Sequence, residues 1–247
     1  WSAVTNIRFV EMAGPYDGTG STSAYDWIER FDDVGYGILG FHDLPATGTL
    51  EGAFSNEPGI FTAATMQRGG SGFEVFVHEI GHGLGLVHPH NDEEDPPGDP
   101  AFPGVTGPYS VGFYRLNQAV YTVMTYNDTY EEVGFSLDDT RGWTATPMAF
   151  DIAAVQALYG ANMETNAGDT AYGIGSSYYS DSWSCIWDAG GIDTISADGD
   201  PARAFIIDLR AATLLSEPGG GGFVSRAVGK FGGVTIANGV VIENASG

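Results

Sequence analysis

The chain has 247 residues, of which 32 are acidic and only 9 are basic, so its formal net charge at pH 7 is −23. This balance argues against nucleic acid and anionic membranes as partners, because both require clustered lysine and arginine. It suits a protein that holds hard cations with carboxylates, or one that stays soluble in salty surroundings. The single cysteine, Cys185, excludes an internal disulfide, and we expect its thiol to be buried and inert.

The first 72 residues carry weak secondary-structure signals. Residues 4–11 alternate enough to predict a strand, and residues 36–42 predict a second one that includes His42. We interpret His42 as a surface or strand-end residue. Residues 44–72 are rich in turn signals, so no strand is assigned there. The first helix is predicted to begin at Phe73, where apolar residues start to recur every three or four positions.

The most informative stretch is residues 78–88, which read HEIGHGLGLVH. His78 and His82 are four residues apart, so one face of a helix presents both imidazoles to a single ion. Gly85 can adopt the left-handed conformation that ends a helix, and the turn allows His88 to join the pair. Three neutral imidazoles with an open fourth position are typical of catalytic zinc. Glu79 would then accept a proton from bound water.

The second half of the chain changes from helical to β-prone patterns. Residues 147–160 predict an amphipathic helix, in which Asp151 supplies favourable charge to the first turns and Gly160 the C-terminal cap. After residue 161, short β-prone runs separated by glycines predict a small β-sandwich. These runs are residues 205–209, 223–228, 234–236 and 240–243. We therefore divide the chain into residues 1–160 and residues 161–247.

These motifs together resemble a known family. HEIGHGLGLVHPH resembles the zinc-binding sequence of the serralysins, the secreted bacterial branch of the metzincin metalloendopeptidases. Three further stretches are similar in the same order: TVMTY at 122–126, FDIAAVQALYGAN at 150–162 and WDAGGIDTI at 187–195. The similarity is strong over about residues 73–162, clear again over 168–247, and faint before residue 70.

The resemblance implies an α+β fold. A metzincin catalytic domain, with a twisted sheet and an active-site helix, would be followed by a small calcium-binding domain of the β-sandwich or β-roll type. Serralysins have a helix before the first strand and glycine-rich nonapeptide repeats later in the chain. We expect that the N-terminal helix is missing here and that residues 161–247 are truncated before those repeats.

The resemblance also assigns roles around the zinc. Met124 would form a hydrophobic floor beneath the imidazoles, and Tyr126 would be a further zinc ligand that turns away to stabilise the oxyanion. His90 is expected to point into a loop and not to the metal. The acidic residues 91–99 are interpreted as a solvated loop, with a calcium site or a subsite for basic side chains as the alternative.

Two calcium ions are implied in the same way. The first would be held by Asn166, Gly168, Thr170, Asp188, Gly190 and Asp193. The second would be held by Gly191, Asp193, Val241 and Glu243. Serralysins usually have arginine and threonine where this chain has Asn166 and Val241, but those positions contribute backbone carbonyls, so both sites remain plausible. The alternative is that the three carboxylates are ordinary turn and surface acids.

The predicted function is a secreted, extracellular zinc endopeptidase with one catalytic zinc ion and about two structural calcium ions. Its partners would be protein or peptide substrates and a protein inhibitor, without nucleic acid or membrane, and we expect a monomer. One alternative is a calcium-stabilised adhesion or surface-layer module that keeps a vestigial protease domain. A zinc enzyme that acts on something other than peptides is also compatible with the motif.

Overall fold

A computed structural model describes residues 1–11, 26–45, 48–91, 100–128, 130, 138–199 and 202–247. These residues form a mixed α and β structure with short elements. The helices are α1 (Ser71–Gly83), α2 (Ala149–Tyr159) and α3 (Ser177–Ser180), with a 3₁₀ turn at Phe113–Arg115. The strands are β1 (Trp27–Asp32), β2 (Gly40–His42), β3 (Leu50–Ser55), β4 (Ala171–Gly173), β5 (Trp183–Ile186), β6 (Thr194–Ser196), β7 (Phe205–Ile206), β8 (Arg226–Ala227), β9 (Gly233–Ile236) and β10 (Asn244–Ser246). Among these helices, none has the length and apolar character needed to cross a membrane.

The N-terminal sheet has the order β1-β3-β2 and packs against α1. β1 runs parallel to β3, whereas β2 runs antiparallel to β3 and occupies an edge. Phe54 on β3 stacks on Phe76 of α1, with ring centroids 3.7 Å apart and an interplanar angle of 7°. This contact fixes the helix across the sheet, so the sheet edge lies beside the helix that carries HEIGH.

The N-terminal strand predictions were partly wrong. Residues 4–11 form no strand; within them Thr5 makes an isolated bridge to Ala161. Of residues 36–42 only Gly40–His42 form a strand, while β1 and β3 were not anticipated. β3 reads LEGAFS and buries its last four residues consecutively, so it lacks the alternation by which a half-exposed strand is recognised.

His42 ends β2 as predicted, but it does not lie at the surface. The residue is buried, and its ring packs on Trp27 with centroids 4.3 Å apart. Its Nε2 atom lies 3.1 Å from a carboxylate oxygen of Glu29. A Cβ atom on Gly52 would overlap both the His42 ring and the Glu29 carboxylate, which explains a glycine inside β3.

Both long helices were predicted within two residues. α1 begins at Ser71 instead of Phe73, and Gly85 follows it with a φ of +97°, in the left-handed region as predicted. α2 spans Ala149–Tyr159 and is ended by Gly160 at a φ of +80°.

The C-terminal region consists of small sheets with mostly parallel pairing. The orders are β10-β6-β4, β5-β9 and β7-β8, and only the last pair is antiparallel. Residues 234–236 lie in β9 as predicted, but β7 and β8 are shorter than predicted. Residues 240–243 form no strand, and β10 begins just after them, at Asn244.

One hydrophobic core connects the two halves of the chain. It includes Met124 and Ile152 from the first half and Ile195 and Ile236 from the second. Cys185 lies in this core, which confirms the predicted burial, and that burial raises the pKa of its thiol to about 12, as expected for an inert cysteine.

Candidate active site

Helix α1 and the turn after it bring three histidines together. His78 and His82 project from one face of the helix, and the chain reverses at Gly85, where the Leu86 amide donates to the Gly81 carbonyl at 2.9 Å. This reversal returns His88 to the other two rings. The three Nε2 atoms lie 3.1 Å (82 to 88), 3.2 Å (78 to 82) and 3.3 Å (78 to 88) apart.

The protonation of two of these imidazoles is fixed by the backbone. His78 donates from Nδ1 to the carbonyl of Val123 at 2.8 Å, and His82 donates from Nδ1 to the carbonyl of Leu86 at 2.9 Å. Burial, and then the nearby imidazoles of His82 and His88, lower the pKa of His78 well below its usual value. The His78 ring is therefore neutral, and because Nδ1 of both rings is occupied by a carbonyl, the Nε2 atoms of His78 and His82 face each other.

Nε2 atoms that converge on one point offer a binding site for a cation. Zinc bonds imidazole nitrogen at about 2.0–2.1 Å, so tetrahedral ligation sets the nitrogens about 3.3 Å apart. The observed separations of 3.1 to 3.3 Å match that spacing. His78, His82 and His88 also form the cluster of three potential metal ligands found among the described residues. The donor set therefore fits a zinc ion.

The segment that supports these histidines is the turn around Met124. Val123 accepts the His78 hydrogen bond, and Met124 is 2 % exposed and lies against α1. A Cβ atom placed on Gly81 would be only 2.7 Å from the Met124 sulfur. Met124 thus packs against the helix between the two histidines of HEIGH, and Gly81 makes this close approach possible.

Asp151 has a role that the sequence analysis missed. We attributed it to the helix dipole, but its buried carboxylate accepts hydrogen bonds from the Thr122 hydroxyl at 2.6 Å and the Val123 amide at 2.7 Å. A third bond comes from the Met148 amide at 2.8 Å. Burial raises the pKa of Asp151 to about 6, against the lowering effect of these bonds. Asp151 therefore anchors the Met124 turn to α2.

Glu79 lies between the histidine cluster and the sheet edge. The residue is 7 % exposed, and its side chain touches Gly40 of β2, where an added Cβ atom would be 2.9 Å from Glu79 Cγ. The Leu39 carbonyl and the Asp43 amide form hydrogen bonds with β3. Because alternate residues of an antiparallel strand face its partner, the backbone groups of Gly40 and His42 point away from β3, towards the open edge of the sheet. The unpaired side of β2, within the described sheet, is thus adjacent to Glu79.

Tyr126 and His90 surround the cluster differently. The Tyr126 ring is 38 % exposed and lies 4.8 Å from the His88 ring and 6.0 Å from the His78 ring, between centroids. His90 stacks on His88, with centroids 4.9 Å apart, and lies outside the three converging nitrogens. The structure therefore brings Tyr126 to the edge of the site.

A second residue that the sequence analysis missed is Glu74. It lies one helical turn before His78 and is only 6 % exposed. Burial, and then the charges of Asp128, Glu79 and Asp151, raise its pKa well above the usual value. Burial also raises the pKa of Asp128 to about 6. Perturbed carboxyl groups of this kind are concentrated at functional sites. A glutamate at the −4 position of the zinc motif was visible in the sequence, but its burial was not.

The residues expected at the first calcium site lie together. The Thr170 amide donates to Asp193 Oδ1 at 2.8 Å, and the Gly190 amide donates to Asp188 Oδ1 at 2.8 Å. The Thr170 hydroxyl donates to the Gly168 carbonyl at 2.8 Å. Asn166, with a φ of +51°, donates from its amide to the Trp187 carbonyl and to the hydroxyl of Tyr172, which in turn donates to Asp188.

At the second expected site, Asp193 is shared. Its amide donates to Glu243 Oε2 at 2.7 Å, while Gly191 packs closely against Gly168. Val241 lies two residues before Glu243 and is 67 % exposed. Asp193 is completely buried, and its Oδ2 atom has no hydrogen-bond partner among the described residues. Burial, and then Asp188 and Glu243, raise the pKa of Asp193. Such an oxygen fits a hard cation.

The acidic segment 91–99, for which a calcium site or a basic subsite was an alternative, lies almost entirely outside the described residues.

Comparison with known proteins connects the site to a family. Residues 161–247 match the family described as Peptidase M10 serralysin C terminal. The whole chain is 33% identical, over 267 aligned positions, to Serralysin C of Dickeya chrysanthemi and to a Serralysin of Proteus mirabilis. It is 32% identical to Metallopeptidase AprA of Pseudomonas marginalis. In each case all of this chain is aligned, but it spans only 49% to 50% of the relative's length.

Proposed function

Since this chain is a serralysin-like metzincin, we propose that it is a secreted zinc-dependent endopeptidase that hydrolyses protein or peptide substrates. The observation that carries the proposal is the convergence of three Nε2 atoms to within 3.3 Å of one another beside Glu79. Two of these atoms are held as lone-pair donors by backbone carbonyls. The relatives are metallopeptidases by name, which supports the same class of reaction.

His78, His82 and His88 would hold the zinc ion. When bound, zinc polarises the scissile carbonyl and lowers the pKa of a water ligand to about 7. The buried Nδ1–H bonds to the Val123 and Leu86 carbonyls hold two imidazoles in the orientation that directs Nε2 to the cluster, while burial keeps His78 neutral. Such bonds to metal-ligating histidines fix the ring orientation and raise ligand basicity.

Glu79 would carry out the proton transfers of the reaction. Its carboxylate would accept the proton of the attacking water and deliver it to the leaving amine nitrogen, and general acid–base catalysis of this kind contributes about 10² to 10⁴ in rate. The Tyr126 hydroxyl would donate a hydrogen bond to the developing oxyanion of the scissile carbonyl. The position of the Tyr126 ring beside His88 supports this role.

The substrate would be aligned by β2. An extended peptide can add to a sheet edge through main-chain hydrogen bonds, and the outward backbone groups of Gly40 and His42 supply them next to Glu79. The position of the edge strand β2 beside Glu79 therefore supports an endopeptidase over a vestigial protease in an adhesion module.

We further propose residues 1–160 as the catalytic domain and residues 161–247 as a calcium-binding domain. The first calcium ion would be bound by Asn166, Gly168, Thr170, Asp188, Gly190 and Asp193, and the second by Gly191, Asp193, Val241 and Glu243. The buried, unpartnered Asp193 Oδ2 supports a cation at this point.

The test is metal analysis of the purified chain together with hydrolysis of casein and peptides, with and without a zinc chelator. We expect one zinc per chain and chelator-sensitive cleavage. Glu79→Gln should keep the zinc and lose about 10² to 10⁴ in kcat, because it keeps the shape of the side chain but not the base.

Glu164→Gln is the matched control, because Glu164 is exposed and distant from the cluster in sequence. It should retain full activity. A chain that binds zinc without hydrolysing any peptide would favour the vestigial module, and a Glu79→Gln variant with undiminished, chelator-sensitive activity would refute the assigned base.

A further inference from the structure

The His42 side chain is enclosed between the sheet and the active-site helix. It is completely buried, and its ring packs on Trp27 of β1. A Cβ atom at Gly52 of β3 would be 2.5 Å from His42 Cδ2, and one at Gly83 of α1 would be 2.5 Å from His42 Cε1. Glycine at these two positions therefore provides the space that the ring occupies.

The polar contacts of this ring connect the edge strand β2 to β1 across the middle strand. Glu29 and His42 are both paired with Gly52, one from each side, so their side chains meet above a residue that has none. His42 Nε2 lies 3.1 Å from Glu29 Oε1, and no group described elsewhere in the chain hydrogen-bonds to it. His42 Nδ1 donates to the Asp43 carbonyl at 2.8 Å, which ties the ring to its own strand.

The register of β2 matters because the same face of this strand touches the general base. A Cβ atom at Gly40 would be only 2.9 Å from Glu79 Cγ, so the position beside Glu79 accepts a glycine. A shift of one residue would bring Leu39 or Phe41 to that position and turn His42 away from Glu29. Backbone bonds alone specify the register of a three-residue edge strand weakly, and the buried pair supplies a further constraint.

We propose that the His42–Glu29 pair fixes the register of β2 and thereby positions the strand edge on which an extended peptide binds. This inference rests on the proposed endopeptidase function, in which β2 aligns the substrate. The His42 side chain acts through the backbone of its strand, so it is a positioning residue. Fixing one register is the best-attested use of a buried polar pair.

The first experiment measures KM and kcat for an octapeptide substrate. His42→Ala should raise KM about tenfold, because the binding-competent register would fall to about a tenth of the molecules. The value of kcat should stay within twofold, since a saturating peptide selects the correct register, and the zinc content should be unchanged. The amides of Asp43 and Ser55, which bond across β2 and β3 at 3.0 and 2.8 Å, should exchange hydrogen about tenfold faster.

Three further variants separate pairing from packing. Glu29→Gln keeps the shape of the side chain but removes its charge, and it should raise KM about threefold. His42→Gln, whose amide nitrogen can take the place of Nε2, should recover most of the affinity that His42→Ala loses. Glu51→Gln is the matched control, because it removes a pairing with Arg30 on the opposite face of the same sheet. This control should leave KM unchanged.

The outcomes distinguish this role from the endopeptidase function. Unchanged KM and unchanged exchange at Asp43 and Ser55 in His42→Ala would overturn the proposed role of the pair and leave the endopeptidase intact. A loss confined to kcat, or a Glu29→Gln variant identical to the wild type, would also overturn it, because the ring would then only fill space beside α1. Faster exchange in a chain that hydrolyses no peptide would retain the register-fixing pair and reject the endopeptidase.

Discussion

The histidine cluster and the acidic cluster around Asp193 differ in how their ligand atoms are held. In the first, backbone carbonyls fix two imidazole rings through Nδ1, and the Nε2 atoms converge to 3.1–3.3 Å. In the second, carboxylates already accept backbone amides: Asp193 from Thr170, Asp188 from Gly190, and Glu243 from Asp193. One buried carboxylate oxygen, Asp193 Oδ2, has no described partner.

Because of this difference, we expect zinc and calcium to contribute differently to activity and stability. Neutral ligands repel one another only weakly, so the histidine cluster can keep its geometry without an ion. Charged ligands repel strongly when they are buried together, and a divalent cation removes that repulsion. Zinc should therefore mainly determine activity, and calcium should mainly determine stability.

The largest expected effect on stability is calcium removal. A ligand at 100 to 1,000 times its dissociation constant stabilises the folded state by about 2.7 to 4.1 kcal/mol. For a chain of this size, that corresponds to a melting temperature about 5 to 15 °C lower with a calcium chelator. Thermal unfolding followed by circular dichroism checks this. A zinc-selective chelator should abolish hydrolysis with a smaller change in melting temperature.

Asp193→Asn tests the residue that both calcium sites share. The variant should lose most of the calcium-dependent shift in melting temperature, whereas Asp26→Asn, an exposed control on the N-terminal side of β1, should retain it. The decisive measurement is whether Asp193→Asn raises or lowers the melting temperature in calcium-free buffer. If these residues bind no cation, Asp193→Asn should stabilise the protein in every buffer, because it removes one of the two buried like charges of Asp188 and Asp193.

Replacing Asp151 should have the next largest effect on stability. It should also leave the histidines less well held in position for zinc. Asp151→Ala leaves the Thr122 hydroxyl and the Val123 amide without a partner in a buried turn. We expect a loss of about 3 kcal/mol in the free energy of unfolding, together with reduced zinc affinity, since Val123 also orients His78. Asp151→Asn, which keeps an acceptor oxygen, should lose less. Urea unfolding and zinc titration measure the two effects.

The pH dependence of the Asp151→Asn effect follows from the pKa of about 6 in the folded chain. This value lies above the unfolded value of about 3.9, so the folded state binds the extra proton and stabilises the protein most below pH 4. That contribution is lost as the pH rises through 6. The stability gap between wild type and Asp151→Asn should therefore narrow by up to about 3 kcal/mol between pH 4 and pH 7. A gap that widens instead would show that the ionised carboxylate is the form held by the turn.

The parts of the site that could be predicted from the sequence are those encoded within a few residues. The spacing of His78, Glu79, His82 and His88 and the turn at Gly85 all lie within one helix and its end. Local geometry alone is enough to place such residues. The boundaries of α1 and α2 were correct within two residues for the same reason.

The parts that could not be predicted depend on contacts between distant segments. Asp151 bonds a turn 28 and 29 residues earlier, and no local pattern distinguishes this from a dipole-stabilising acid. The burial of Glu74 on α1 depends in the same way on tertiary packing that the helix sequence alone does not reveal. β3 was missed because small residues such as Ala53 are buried consecutively, which hides the period of two.

The smallest expected effect comes from Gly81, where α1 meets Met124. Gly81→Ala should gain about 1 kcal/mol of helix propensity, but its Cβ would lie 2.7 Å from the Met124 sulfur, and overpacking typically costs about 1 to 3 kcal/mol. We expect a net destabilisation of about 1 kcal/mol and a severalfold loss of activity. In a Met124→Ala background the close sulfur is gone and the nearest atom to the added Cβ is Trp1 Cζ2 at 3.2 Å, so Gly81→Ala should cost much less than in the wild type. Urea unfolding of the four variants measures this coupling. Additive effects would mean that Met124 does not pack against the helix between the two histidines, and the histidine cluster would lose its rigid floor.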